Sequence, residues 1–423
     1  MEEAVAYSTL AVTVTLAVSR PRLGLRELRF TPGTAALLGV TILLLAGLLG
    51  PDEMVTSARL QWRPLLALVA IMVMTGVVQE IGAFERVARL LEMHARRTSP
   101  RRAFALVFLL SVLTPSLLNN DAAILLLTPL VVALSRRLYP GRPEVTEAFA
   151  FAVFLAPGVA PFVISNPMNM IVAEFAGVSF NAYAKVMVPI SVVGALLTYA
   201  VLRRSYGPLL DTVACATRLV DVPPRHPAER AAVLLLLAVF AAYPLAAAFG
   251  VEVWMVAVAG ALCALAVARR HRVASTRAIF AHVSPDILVF LWGVFLVVVA
   301  LRKVGVVGHL AAIYQAAPAG SARELGTVGG VAAVGSALVD NHPMSILNMM
   351  AIGSDRGTRP LLAALIGGDI GPRLLPIGSL AGLLWMDLLR RSGVEISLRK
   401  FARMGTLVLL PTLGASLLLL WLS

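Results

Sequence analysis

Two short polar runs interrupt stretches that otherwise read as lipid-soluble. Leu117-Leu118-Asn119-Asn120-Asp121-Ala122-Ala123 lies inside an apolar run from Phe104 to Leu134, and Leu338-Val339-Asp340-Asn341-His342-Pro343-Met344 inside one from Gly326 to Ile352. Carboxylates, amides and imidazoles are costly at bilayer depth, and there they mark solute or proton pathways. Two further runs break apolar stretches with proline: Ser165-Asn166-Pro167-Met168-Asn169, and Gly367-Gly368-Asp369-Ile370-Gly371-Pro372-Arg373 continuing to Pro376-Ile377-Gly378-Ser379. Proline removes a backbone donor and frees carbonyls, which Ser and Asn can satisfy or leave to a solute.

These residue types suggest two kinds of chemistry. Asn119, Asn120, Ser165, Asn166, Asn169, Asn341, Ser345, Gly378 and Ser379 are candidates for binding a neutral polar substrate. Amides and hydroxyls donate and accept without net charge. Asp121, Asp369, Asp340 and His342 are candidates for proton coupling. Coupling needs a group that gains a proton on one side and loses it on the other, and burial favours the neutral carboxyl. Imidazole titrates near neutral pH. Asp121 ranks first because its own hairpin holds no cation. Asp369 ranks second because Arg373, four residues on, would meet it across one helical turn as an ion pair. Blander roles stay open: amides that only cap helix breaks, interhelical hydrogen bonds in the second run, and Met168, Met170, Met344, Met349 and Met350 as filler.

The elements that must position these residues are membrane helices. Of 423 residues, 59% are hydrophobic and 14% charged, against about 25% charged in soluble domains. The net charge of +13 sits in short loops, which is a topology signal and gives no reason to expect nucleic acid. Cys215 and Cys263 lie away from the polar runs, and the six histidines have no ligand spacing. No metal, cofactor or catalytic site is expected. The Met1-Glu2-Glu3 start lacks a basic n-region, so 4–18 reads as a retained span.

The hydropathy predicts an all-α polytopic protein of two inverted repeats, each with five crossings, a re-entrant hairpin and a broken helix. Residues 1–203 read as spans 4–19, 33–50 and 64–82, an amphipathic segment 84–97, hairpin 101–138, broken span 146–178 and span 184–202. Residues 204–228 read as a cytoplasmic linker. Residues 229–423 read as spans 229–248, 251–268 and 284–303, a short segment 305–316, hairpin 322–353, broken span 358–391 and span 403–422. Loops on one face then carry 27 Lys/Arg and loops on the other carry 8, with Arg373 inside a span. That bias makes the first face cytoplasmic and puts both termini outside.

Leu118-Asn119-Asn120-Asp121-Ala122-Ala123 with Leu127-Thr128-Pro129, and Ser165-Asn166 with Asn169-Met170-Ile171, resemble the arsenite-efflux permease family. The most specific match is Gly368-Asp369-Ile370-Gly371-Pro372-Arg373-Leu374-Leu375-Pro376-Ile377-Gly378-Ser379-Leu380-Ala381 with Leu383-Leu384-Trp385, where the family often has lysine in place of Arg373. The resemblance implies an ion-transporter fold in a prokaryotic inner membrane. It also implies export of arsenite or antimonite, by exchange with protons or with a separate soluble arsenical-pump ATPase. The chain departs from the family at Asp340-Asn341-His342-Pro343, where the typical reading is Asn-Asn-Leu-Pro. A sodium/proton antiporter or an organic-anion transporter on the same fold is the alternative. An intramembrane aspartyl protease is disfavoured because Ile366-Gly367-Gly368-Asp369 is not GxGD.

Overall fold

The computed structural model describes residues 2–19, 22–23, 28–118, 120–215 and 226–423. Asn119, residues 216–225 of the expected linker and most of the loop at 20–27 lie outside the described residues. The first half comprises α1 (Glu2–Ser19), α2 (Pro32–Leu45), α3 (Pro51–Glu80), α4 (Ala83–Ala95), α5 (Pro100–Leu117), α6 (Asn120–Leu138), α7 (Pro143–Leu155), α8 (Pro167–Phe175) and α9 (Phe180–Asp211). The second comprises α10 (Glu229–Ala248), α11 (Val253–Arg270), a short α12 (Thr276–Phe280), α13 (Pro285–Lys303), α14 (Val306–Gln315), α15 (Ala322–Val339), α16 (Asn341–Ile352), α17 (Thr358–Ile370), α18 (Leu380–Arg391) and α19 (Leu398–Leu422). Two-residue strands Arg22–Leu23 and Leu28–Arg29 pair antiparallel. Among the described residues, six helices are long and apolar enough to cross a membrane.

Local chemistry starts these helices. Proline opens α2, α3, α5, α7, α8 and α13, where its missing N–H costs nothing. Thr31, Ser179, Ser275, Ser284, Ser321 and Ser397 accept a backbone N–H from the first turn of the helix that follows.

Three spans differ from the hydropathy reading. The stretch 33–50 is helical only to Leu45, because Gly47 takes a left-handed φ of 72°. That 14-residue helix covers about 21 Å, short of the roughly 30 Å hydrocarbon core. α3 begins at Pro51, well before the expected 64, since Glu53 accepts the Gly50 N–H at 2.8 Å and starts the helix among polar residues. α9 runs on to Asp211, so 204–211 of the expected linker is helix.

Packing pairs the two halves crosswise. α2 lies against α13 and α11 against α3, while α9 lies against α19. α6 packs on α18, and α16 on α8. Close approach depends on small residues, as is usual between membrane helices. A Cβ on Gly367 or Gly371 of the second broken span would collide with the carbonyl oxygens of Gly329 and Ala333 on α15.

Candidate functional site

Both breaks and both hairpin tips meet in one central cavity. Asn120 from the first tip, Asn341 from the second, Ser165 and Asn166 from the first break, and Asp369, Arg373 and Ser379 from the second line it. Its volume is about 40 Å³, where one water needs roughly 10–15 Å³. Four helix N-termini end here. α6 begins at Asn120 and α16 at Asn341. Asn166 accepts the Met168 N–H at 3.1 Å to cap α8, and Ser379 accepts the Gly382 N–H at 3.0 Å to cap α18. Each brings unpaired backbone donors and a partial positive charge.

The breaks exist because the sequence cannot stay helical. Pro157-Gly158 and Pro161 end α7, and after a 3-10 turn at Val163–Ser165 the α-helix resumes at Pro167. After Ile370 the second span tightens into a 3-10 turn at Gly371–Arg373 and another at Pro376–Gly378.

Those turns overturn the expected Asp369–Arg373 ion pair. With the helical register lost after Ile370, the two side chains bond across to the other span instead of to each other. The buried Arg373 guanidinium donates to the carbonyls of Leu155 at 2.8 Å and Pro157 at 3.1 Å, and to the Thr412 hydroxyl at 3.2 Å. It therefore caps the negative end of α7. Asp369 accepts the Ala160 N–H and the Asn166 amide, each at 2.9 Å. The two broken spans are thus cross-linked by one carboxylate and one guanidinium.

Two acceptors in the cavity wall are unspent. Asn120 Oδ1 and Asn341 Oδ1 are buried with no hydrogen-bond partner among the described residues. A buried acceptor left unpaired costs about 1–3 kcal/mol. Ser165 donates to the Ser116 carbonyl at 3.3 Å, tying the first break to the first hairpin.

Asn169, Ser345 and Gly378 are not among the described residues that line the cavity. Asn169 is buried and donates to the Tyr183 hydroxyl at 2.7 Å, which in turn donates to the Ala160 carbonyl at 3.1 Å. These bonds brace the break. Ser345 is buried on α16 near Gly368. Gly378 sits where a Cβ would come within 2.9 Å of the Ala337 Cα. Asp121 lies in the first turn of α6, and its side chain, like all of Asn119, is outside the described residues.

Asp340 and His342 form a separate buried pair. The Asp340 carboxylate oxygen accepts the His342 backbone N–H at 2.9 Å and lies 2.8 Å from His342 Nδ1. Asp340 takes φ 77° and ψ 147°, a region costing a non-glycine residue of order 1–3 kcal/mol. The His342 ring meets Phe290 of α13 edge-on at 5.6 Å.

The cavity also draws on Ser116 and Ser191, and Arg373 on Thr412, none of which the sequence reading singled out. A shared signal was available. Each hydroxyl sits within two residues of a proline in an apolar helix: Pro115-Ser116, Pro189-Ile190-Ser191 and Pro411-Thr412.

Helices that cross a membrane, interrupted spans and a polar cavity between them define a membrane transporter. The chain belongs to the arsenical pump membrane protein family, whose model matches residues 10–422. It is 29% identical to the arsenical pump membrane protein of Escherichia coli strain K12 and 28% identical to that of Yersinia enterocolitica, covering 97% of both chains in each case. It is 30% identical, over 86% of each chain, to an uncharacterized transporter of Mycobacterium tuberculosis. Its fold is similar to the crystal structure of the Alcanivorax borkumensis YdaH transporter, described as having an unusual topology. That match has a TM-score of 0.61 at 16% identity and covers 99% of this chain and 96% of the other.

Proposed function

We propose that this protein exports arsenite, and antimonite with it, from the cytoplasm across a prokaryotic inner membrane in exchange for protons, by alternating access between two inverted repeats. The observation that carries the substrate is the pair of unspent amide oxygens, Asn120 Oδ1 and Asn341 Oδ1, facing one cavity. Arsenite near neutral pH is mostly the uncharged trihydroxide, whose hydroxyls can donate to both. Helix N-termini, the second amide hydrogen of Asn166 and the Ser379 hydroxyl supply donors for its oxygens. The basic face is the cytoplasmic one. The crosswise packing of α2 on α13 and α11 on α3 supports the inverted-repeat reading, because exchanging the halves exchanges these contacts. No Walker A sequence is present, so energy comes from an ion gradient or from a separate soluble ATPase.

Asp121 and Asp369 are the proposed proton-coupling carboxylates of the central site. Asp369 bridges both broken spans through Ala160 and Asn166, so a change in its protonation would loosen their link. The second reading is an organic anion, favoured by the four helix N-termini. Against it, the Arg373 guanidinium is engaged with Leu155, Pro157 and Thr412, and Asp369 puts a carboxylate in the wall.

Everted vesicles should accumulate arsenite under an imposed pH gradient and lose it on adding a protonophore. Asn120→Ala and Asn341→Ala each remove a hydrogen bond of about 0.5–1.5 kcal/mol and should lower transport about two- to tenfold with folded protein still in the membrane. Full transport by both variants would sink the substrate reading. Asp121→Asn should exchange arsenite down its gradient yet fail to accumulate it against one. If Asp369→Asn alone behaves that way, coupling belongs to Asp369.

A further inference from the structure

We propose that Asp286 of α13 and Arg391 of α18 shut the mouth of the transporter on the face proposed as cytoplasmic, pairing with each other when the outer face opens. This rests on the reading of two inverted repeats with alternating access. It deepens that reading by naming the groups that meet in the other conformation.

The registers of the two halves carry it. Gly82 and Gly305 precede α4 and α14, each with a left-handed φ, of 75° and 87°. The residue 19 positions before each is Arg63 on α3 and Asp286 on α13. α8 and α18 follow the caps Asn166 and Ser379, and the residue eight positions beyond each is Glu174 and Asp387. α11 and α2 follow Glu252 and Thr31, both at the N-cap position. On that register Arg63, Pro64, Met170, Glu174, Val178 and Val253 correspond to Asp286, Ile287, Leu383, Asp387, Arg391 and Pro32. The first six line one pocket of about 40 Å³. The second six line one cavity of about 1020 Å³. Matching positions thus enclose a nearly filled space at α3, α8 and α11, and a wide one at α13, α18 and α2.

Charge distinguishes the two places. At the small pocket one guanidinium, Arg63, serves two carboxylates, Glu174 at 3.0 Å and Glu252 at 3.1 Å. At the large cavity Asp286 takes the Arg63 position. It accepts the Thr31 hydroxyl and the Gly33 N–H on the same oxygen, Oδ1, so Oδ2 is available to a cation. Bringing α18 onto α13 as α8 lies on α3 would set Asp387 against Asp286, and like charges at contact repel. Arg391 removes the conflict. It holds Asp387 at 2.7 Å, and it shares the cavity stripe Leu384, Asp387, Arg391. Long side chains on a helix lean toward its N-terminus, which carries this guanidinium back to the level of Asp387. Arg391 keeps 66% of its side-chain surface exposed, and its five donors can serve a second carboxylate. The shut mouth is then one guanidinium between two carboxylates. That is the composition of the outer tie, with the cation moved to the other helix.

The test reads the outer face, because the inner mouth must shut before that face opens. Val178→Cys, in a background with Cys215→Ser and Cys263→Ser, reports outer opening by its reaction with a membrane-impermeant maleimide in intact cells. Arg391→Gln leaves two carboxylates facing each other and should slow this labelling roughly two- to fivefold, the range of a solvent-screened pair. Asp286→Asn keeps an acceptor for Thr31 and Gly33 and should slow it less. Adding Asp286→Asn to Arg391→Gln should return part of the lost rate, which a merely structural role for Arg391 would not allow. Arg391→Lys, which keeps the cation, should retain most of it. A rate unchanged by Arg391→Gln overturns the proposal, as does a double variant no faster than Arg391→Gln alone. No labelling of Val178→Cys in any of these backgrounds would mean that the outer face never opens, and would overturn alternating access together with this pair. The labelling needs no arsenite, so it decides the pair even if the exporter reading falls.

Discussion

The outer halves of the two broken spans, α8 and α18, end in carboxylates that are treated oppositely. Glu174 on α8 lies 3.0 Å from Arg63 of α3. The same guanidinium lies 3.1 Å from Glu252, which accepts the Trp254 indole N–H at 2.6 Å. α8 is thereby tied to α3 and to the start of α11, and α3 packs along it. Among the described residues, Asp387 on α18 pairs within its own helix, with Arg390 at 2.9 Å and Arg391 at 2.7 Å. It lines a cavity of about 1020 Å³, as does Asp286 of α13. No packing like that of α3 on α8 joins α13 to α18 among the described residues. On the proposed inverted-repeat reading α8 and α18 are counterparts, and a tie to the neighbouring span on one side only is what alternating access would give in a protein closed on one face and open on the other. On the proposed topology the open face is the cytoplasmic one.

The strongest way to break this comparison is to forbid the change. In a background with Cys215→Ser and Cys263→Ser, Arg63→Cys and Glu174→Cys joined by a reducible bifunctional thiol reagent would hold α8 to α3. Arsenite exchange should fall more than tenfold and return on reduction. Exchange that survives complete cross-linking would mean α8 and α3 never part.

A smaller effect tests sidedness. Leu384 lines the large cavity and the half-buried Cys215 lies just past α9. Leu384→Cys and native Cys215 should react with a membrane-impermeant maleimide several-fold faster in everted vesicles than in intact cells. The reverse ratio at both positions would invert the proposed orientation.

Much of this architecture was legible because lipid is an unforgiving solvent. Polar runs at bilayer depth have few explanations, and Asn120, Ser165, Asn166, Asn341, Asp369 and Ser379 do line one cavity. What was not legible depends on long-range geometry. Residue spacing pointed to an Asp369–Arg373 pair, but the 3-10 turn after Ile370 sends each side chain to the opposite span. The Gly367 and Gly371 contacts with α15 need the partner helix to be seen. Hydropathy starts α3 too late because it discounts Arg59, Gln61 and Arg63, although Gln61 is buried and Arg63 supplies the tie to α8.

The finest adjustment of the comparison is Arg63→Ala. Arg63 and its partners Glu174 and Glu252 keep between 35% and 40% of their side-chain surface exposed, so solvent screens them, and each pair contributes about 0.2–1 kcal/mol. Removing the guanidinium also leaves two carboxylates beside Trp254 with no cation between them. The tied face should open more often, by roughly two- to fivefold for about 0.5–1 kcal/mol. Val178 lines the pocket beside Arg63 and Glu174, so Val178→Cys gives a thiol whose maleimide reactivity in intact cells reports this opening. Its rate should rise by that factor in the Arg63→Ala background. High salt should raise the rate in the Arg63 protein and bring the two closer, because exposed pairs are screened within about 3 Å at 1 M. An unchanged rate would mean that the close packing of α3 on α8, and not the charges, keeps this face shut.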